Sequence, residues 1–160
     1  MKNKLQSIFV LILTSMAIYF ASCAKNEPNP NIPDVNIYYR IDPNSTIFLE
    51  LNTVGGWLYL EDIPGIVVPY PSRGIIVYRQ DVNLFKAYER QPPNFPFECC
   101  VPNSTICTAL LVGPNYPFAK DTCTGNLYQL LDGVLFSGNG SYPMIEYRTF
   151  YDGQYLTISN

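Results

Sequence analysis

The chain contains no histidine in its 160 residues. Without an imidazole it has no histidine general acid or base, no Ser-His-Asp or Cys-His catalytic arrangement, and no His-ligated metal site. Basic residues are also few. Ten Lys and Arg against 13 Asp and Glu give a net charge of −3, so the chain offers no basic face to nucleic acid. Composition therefore excludes several functional classes before any motif is considered.

Charged residues are scarce overall, at 14% of the chain, whereas hydrophobic residues make up 48%. A chain this apolar and this weakly charged is expected to fold rather than to be disordered. The 14 Pro, 10 Gly, 13 Tyr and 9 Phe favour short strands and tight turns over helices. The length is that of one domain, or of one domain plus a tail. We predict an all-β fold, a small antiparallel sandwich or barrel.

The N-terminal segment has the features of an export signal. Two lysines precede an apolar run over about residues 8–21, which is shorter than the roughly 20 residues that a spanning helix requires. Small residues then lead to Cys23, which resembles a bacterial lipoprotein processing site, where the cysteine is acylated. An ordinary cleaved signal and an uncleaved anchor are the alternatives. We predict a signal peptide over 1–22, lipidation at Cys23, a flexible tether over 23–34 and a β domain over 35–160, giving an exported protein anchored on the periplasmic side or at the cell surface.

Strand-forming residues bounded by turn signals recur along the domain. In Thr46–Asn52, alternating apolar residues predict a strand with Ile47, Leu49 and Leu51 on one face. Asp132-Gly133 and Asp152-Gly153 predict hairpin turns. Residues 91–104 contain four prolines and predict a long loop. The predicted strands are 35–41, 46–52, 57–61, 74–78, 84–88, 109–112, 127–130, 133–136, 145–151 and 154–159.

Four cysteines follow Cys23, an even number in a chain predicted to be exported, which favours disulfides. Cys99 and Cys100 cannot readily pair with each other, because adjacent Cα atoms are about 3.8 Å apart and a disulfide prefers about 4.4–6.8 Å. We expect one bridge inside the 91–107 loop and one between that loop and Cys123. A four-cysteine metal or iron–sulfur site is the alternative, but the C-C-x6-C-x15-C spacing lacks the C-x2-C pairs of zinc ribbons.

The second half of the chain carries a resemblance to a known family. Residues 121–147, which read DTCTGNLYQLLDGVLFSGNGSYPMIEY, look like the second half of a Rieske iron–sulfur domain. That family has C-x-x-H-G-S-x-F, a polar turn ending in Gly, and then G-P-A-x-x-P-L. Segment 84–90 resembles the strand before the family's first C-x-H, and 152–159 resembles its final hairpin. The matching positions are Gly125, Tyr128, Gly133, Gly138, Pro143, Met144 and Tyr147. The resemblance covers roughly residues 55–159 and is shared with small exported lipoproteins of Bacteroidetes-type bacteria.

The resemblance also implies that the cluster ligands have been lost. A Rieske cluster needs two Cys thiolates on one iron and two His on the other. The positions carried over are Asp121 and Thr124 for the second ligand pair, and Pro92 and Asn94, or in another register Pro102 and Ser104, for the first. None of them is Cys or His, so we expect no [2Fe–2S] cluster and no other cofactor, although family members carry the cluster. Some Rieske domains have a disulfide between the two cluster loops, and at those positions the resemblance implies a Cys107–Cys123 bridge.

Other features are less specific. Arg73 and Arg90 could bind an anion, but such groups more often form pairs or hold a loop. Aromatic residues could form a platform for glycans, but in strands they more often form core and cross-strand pairs.

Two functions therefore remain open. One is a non-catalytic binding or assembly module with a membrane anchor at Cys23 and an unidentified protein partner. The other is a redox protein that uses a cluster on Cys99, Cys100, Cys107 and Cys123, or a labile disulfide among them.

Overall fold

The computed structural model describes residues 29–102, 104 and 106–160. This part of the chain forms two antiparallel sheets, which confirms the predicted all-β fold. None of its helices is long and apolar enough to cross a membrane. The strands are β1 (Tyr38–Ile41), β2 (Trp57–Tyr59), β3 (Ile75–Asp81), β4 (Leu84–Glu89), β5 (Phe118–Lys120), β6 (Leu127–Gln129), β7 (Leu135–Ser137), β8 (Glu146–Tyr151) and β9 (Leu156–Ser159).

The larger sheet has six strands in the order β1-β9-β8-β4-β3-β2. β8 connects its two halves, because its start pairs with β4 through Ala87 and Tyr147 while its later residues pair with β9. The predicted turn at Asp152-Gly153 joins β8 to β9, and the Asp152 Oδ1 accepts the Gln154 and Tyr155 backbone N–H groups.

Strands β3 and β4 are buried on both faces. Ile75 and Val77 of β3 point into one hydrophobic core, with β1, β8 and β9, whereas Ile76 and Tyr78 point into a second core. β4 divides in the same way, with Ala87 in the first core and Tyr88 in the second. The apolar sequence of β3 is continuous rather than alternating, as expected for a strand that is covered on both sides.

The smaller sheet, in the order β5-β6-β7, covers the second core through Ala119 and Tyr128. Residues 130–134 connect β6 to β7 and include the predicted turn at Asp132-Gly133, whose Gly133 N–H donates to the Gln129 carbonyl. β5 is three residues long and is not among the predicted strands.

Two predicted strands are wrong. Thr46–Asn52 forms 3-10 helical turns, and the buried residues are Phe48 and Leu51, three positions apart, while Ile47 and Leu49 are exposed. Burial at a spacing of three is the period of a 3-10 helix, not of a strand. Residues 109–112 contribute only a bridge between Leu111 and Lys120.

The predicted signal peptide, Cys23 and residues 23–28 of the tether lie outside the described residues. Two residues of the rest of the predicted tether, 29–34, contact the domain. Asn29 Nδ2 donates to the Pro93 carbonyl at 2.8 Å, and Ile32 is buried. Ile32 is the one large apolar side chain in an otherwise polar, proline-rich stretch. Its burial is favourable because it removes apolar surface from water.

Candidate functional site

Three loops meet beside the small sheet, and they include the positions singled out in the sequence. They are the loop over 91–107, the loop over 121–126 and the loop over 138–142. Asn94 comes from the first loop, and Asp121 and Thr124 come from the second. We call their hydrogen bonds, together with those of Asn126 and Tyr128, the loop network.

Asn94 is buried and uses all of its hydrogen-bonding capacity. Its Nδ2 donates to the Tyr128 hydroxyl at 3.0 Å and to the Tyr142 carbonyl at 2.8 Å. Its Oδ1 accepts the Ser141 and Tyr142 backbone N–H groups at 3.0 and 3.1 Å. A side-chain amide has two donors and two acceptor sites, so Asn94 has none left for a ligand.

Asp121 is fully buried, and its carboxylate is taken up within its own loop. Oδ1 accepts the Cys123 N–H at 2.9 Å, and Oδ2 accepts the Thr124 hydroxyl at 2.6 Å. Thr124 Oγ1 in turn accepts the Asn126 N–H at 3.3 Å. These bonds shape the 121–126 turn from inside, as Asx turns do.

Asn126 and Tyr128 connect the loops. Asn126 exchanges hydrogen bonds of 2.8 Å with the backbone of Asn139, and its Nδ2 lies 3.3 Å from the Tyr128 hydroxyl. Burial raises the pKa of Tyr128, although its amide partners Asn94 and Asn126 act in the opposite direction. Neither residue was predicted as functional. Tyr128 was noted only as a match to the family pattern, and an Asn in a turn such as Asn126 carries no signal that distinguishes it from ordinary turn residues.

The third loop fits closely against this network. Gly138 has φ of 122°, and a Cβ at that position would clash with the Asn126 side chain. A Cβ at Gly140 would likewise clash with the Asn94 side chain. Any residue with a Cβ is therefore excluded at these two positions, because the amides of Asn126 and Asn94 occupy the space.

The two predicted registers for the first ligand pair lie in different places. Pro92 is buried beside Asn94. Pro102 and Ser104 are exposed, and the hydrogen bonds of Ser104 stay within residues 101–106. Of the two registers, only Pro92/Asn94 places a residue in the loop network: Asn94 is linked to the 121–126 loop through the Tyr128 hydroxyl.

The disulfides are Cys99–Cys123 and Cys100–Cys107. One bridge lies inside the 91–107 loop and one joins it to Cys123, as expected, but the Cys107–Cys123 pairing implied by the resemblance is wrong. The Val101 N–H donates to the Ile106 carbonyl at 2.8 Å. This turn brings Cys107 within 4.0 Å, Cα to Cα, of Cys100, and leaves Cys99 for Cys123 at 5.8 Å. Two disulfides are typical of an oxidising compartment outside the cytosol.

Arg73 holds the base of the 91–107 loop. Its guanidinium donates to the carbonyls of Thr108 and Pro96, each at 2.7 Å, and Nη2 lies 3.9 Å from the Cys100 Sγ. Burial lowers the pKa of Arg73, and the charges of Glu89 and Asp121 oppose this effect. Of the two interpretations of Arg73 drawn from the sequence, holding a loop is the one that the geometry favours.

Glu89 and Arg90 lie next to each other at the end of β4 and have separate partners. Glu89 is buried and accepts the Tyr147 hydroxyl at 2.7 Å and the Arg73 and Gln91 backbone N–H groups at 2.9 and 2.8 Å. Burial, and then the charge of Glu89, raises the pKa of Tyr147. Arg90 pairs with Glu61 and donates to the Leu110 carbonyl, so it too holds a loop.

Large apolar side chains are exposed on the first loop. Phe95, Phe97, Val101 and Ile106 are 50%, 64%, 51% and 68% exposed. Phe95 and Phe97 also line an open cleft of about 780 Å³ whose other wall includes Thr124 and Cys123. We call these four exposed residues the apolar tip.

No group of three or more His, Cys, Asp or Glu side chains within the described ranges is arranged to hold a metal ion. In comparisons with known proteins, no family model and no curated protein matches the chain.

Proposed function

We propose that this is an exported, lipid-anchored, Rieske-like domain that has lost its cluster ligands and acts as a non-catalytic binding or assembly module. Its membrane contact is the acyl chain at Cys23, and its partner is another protein. We propose the Rieske likeness on the residue matches over 55–159 and on the way two loops meet a third beside a small three-stranded sheet.

One observation carries the proposal: the polar atoms at the ligand-equivalent positions are already used by the protein. The Asn94 amide makes four hydrogen bonds, and each oxygen of the Asp121 carboxylate accepts one. A group with this many protein partners stabilises the loops instead of binding iron, because metal binding would leave its buried partners unsatisfied. A cluster on cysteine is disfavoured as well, since all four cysteines of the domain are paired as disulfides.

The apolar tip supports a binding role. Exposed apolar side chains are ordinary when single, but concentration on one loop is typical of interaction surfaces. Here the tip is held by two disulfides and by Arg73, so it can present a preformed surface to a partner.

Iron and acid-labile sulfide analysis tests the loss of the cluster. We expect protein purified with its disulfides intact to be colourless and to lack both elements. About two irons per chain, with the visible absorbance of a [2Fe–2S] cluster, would refute the proposal. Mass spectrometry of the N-terminal peptide tests the anchor: we expect Cys23 to be the first residue and acylated, and Cys23→Ala to release a folded domain from the membrane fraction.

A labile disulfide is the second candidate function, and the position of Arg73 favours it. A dithiol reductant would attack the Cys107 sulfur, the S–S bond would break, and Cys100 would leave as a thiolate beside the guanidinium. The second thiol of the reductant would then release Cys107 and leave the reductant oxidised. A nearby cation stabilises a thiolate.

Redox titration against a dithiol buffer, with trapping of free thiols, tests this candidate. Arg73→Gln should make Cys100–Cys107 about tenfold harder to reduce, as expected from loss of a stabilised thiolate. Arg148→Gln, which removes a charge at an exposed position, is the control. Equal reduction of both variants and of the original protein rules the candidate out.

A further inference from the structure

A second concave site lies away from the loop network, where β2 meets the turns on either side of it. It is an open cleft of about 720 Å³, within the range of small-molecule sites. Trp57 and Tyr116 supply aromatic surface, Val54 and Ile63 add apolar surface, and Glu50 and Asp62 supply carboxylates.

The floor of the cleft is fixed to the sheet. The Gly55 N–H donates to the Arg79 carbonyl, and the Arg79 N–H donates to the Gly56 carbonyl, both at 2.8 Å. A Cβ at Gly56 would clash with the Glu50 carbonyl oxygen, so the turn packs directly on the backbone that carries Glu50. The cleft is therefore preformed.

The indole of Trp57 is held in place by Tyr59. It packs edge to face on Tyr59, with ring centroids 5.2 Å apart. Tyr59 is itself fixed, because its hydroxyl accepts the Val112 N–H at 2.7 Å and the Arg90 guanidinium lies 3.6 Å from its ring centroid. Tyr59 is thus occupied by its own partners, whereas Trp57 is partly exposed to the cleft.

The charged side chains that line the cleft are both acidic. Glu50 and Asp62 are exposed, and neither forms an ion pair with any residue in the described part of the chain. Neither Lys nor Arg is among the residues that line the cleft. The net charge of the whole chain is also negative. These charges attract a cation and repel an anion.

We propose that this cleft binds an organic ammonium ion, a positively charged amine carried on a hydrocarbon body. Aromatic faces attract cations, Trp most strongly, and carboxylates complete the neutralisation. The apolar surface at Val54 and Ile63 suits the hydrocarbon part. Thr53, Trp57 and Tyr116 also offer hydrogen-bonding groups, but a neutral sugar fits less well because it would leave the charges of the two carboxylates uncompensated. The inference deepens the proposed binding role. It rests on that role in one respect: the bound ammonium ion is taken to be a ligand and not a substrate.

Trp57 provides the assay, since it is the only tryptophan in the chain. Tryptophan-selective fluorescence is titrated with tetraethylammonium, a quaternary cation, and with n-butylammonium, a primary amine like a lysine side chain. Butyrate, n-butanol and maltotriose are the anionic, neutral and saccharide comparators. We expect a saturable change with at least one of the two cations, and the one that binds more tightly identifies the type of amine.

A double variant tests the carboxylates. Glu50→Gln with Asp62→Asn should weaken cation binding about tenfold, the effect expected from losing a charge partner. Asp34→Asn with Glu98→Gln removes the same charge outside the cleft and should leave binding unchanged.

The inference is overturned if neither cation gives a saturable change, if maltotriose or n-butanol binds as tightly as the cations, or if the two double variants bind alike. Circular dichroism of each variant shows that it is folded. The proposed function fails on a different measurement, iron content, so the two failures are distinguishable.

Discussion

Asn94→Ala is the sharpest test of the loop network. The substitution removes four hydrogen bonds at once and leaves their partners in place: the Tyr128 hydroxyl, the Tyr142 carbonyl, and the Ser141 and Tyr142 N–H groups. A buried polar group without a partner costs about 1–3 kcal/mol. Some of these partners lie at the protein surface and will be rehydrated, so we expect a loss of about 3 kcal/mol.

A loss of that size is a large part of the roughly 5–15 kcal/mol by which a domain is stable. It corresponds to a fall in melting temperature of about 10 °C for a domain of this length. Urea unfolding followed by circular dichroism measures the free energy, and calorimetry measures the melting temperature.

Two further variants identify the cause. Asn94→Asp keeps the acceptors for the Ser141 and Tyr142 N–H groups and loses both donated bonds, so its stability should lie between those of Asn94→Ala and the original protein. Asn83→Ala, at an exposed turn position, should be nearly neutral. If Asn94→Ala proved as mild as Asn83→Ala, the network would not hold the loops together.

Three other predictions concern the disulfides and the buried tyrosines. Replacing Cys99 and Cys123 by alanine should lower the free energy of unfolding by about 3.5 kcal/mol for a separation of 24 residues, and removing the seven-residue bridge should cost about 2.4 kcal/mol; peptide mapping that showed a different pairing would contradict both values. Tyr88→Phe should be neutral or stabilising, because the Tyr88 hydroxyl is buried without a partner among the described residues, whereas Tyr147→Phe should cost about 1.5–3 kcal/mol because it removes the donor to a buried carboxylate; equal effects in urea unfolding would be the wrong result. Burial raises the pKa of both tyrosines, so the folded state retains protons that the unfolded chain loses above about pH 10, and stability should fall as the pH rises past that value; constant stability in alkaline urea titrations would argue against it.

Strand content was predictable because composition and turn residues act locally. The β8–β9 hairpin, with Asp and Gly between two apolar segments, is an example. Thr46–Asn52 was mispredicted because its alternating pattern also contains two apolar residues three apart, and tertiary contacts selected that pair for burial. A strand as short as β5 has no pattern of its own, and its pairing with β6 defines it.

The candidate site was harder to predict for a different reason. Four cysteines allow three pairings; the adjacency of Cys99 and Cys100 disfavours one of them, and the spacing does not distinguish between the other two. The turn between Val101 and Ile106 decides the pairing, and that turn is visible only in the structure. The resemblance pointed to Asn94 as a ligand-equivalent position, but it did not predict that the Asn94 side chain makes four hydrogen bonds. Nothing in the sequence predicted the role of Asn126.

The adjacent cysteines also determine how the protein responds to proteases. A cut between residues 101 and 106 leaves the two fragments joined by both disulfides, and a cut between 108 and 122 leaves them joined by Cys99–Cys123. The segment between Val101 and Ile106 can thus be nicked without release of either half, whereas a cut at Phe95 or Phe97 lies before Cys99 and leaves the fragments unlinked. A protein nicked between Val101 and Ile106 runs as one band on a non-reducing gel and as two bands on a reducing gel.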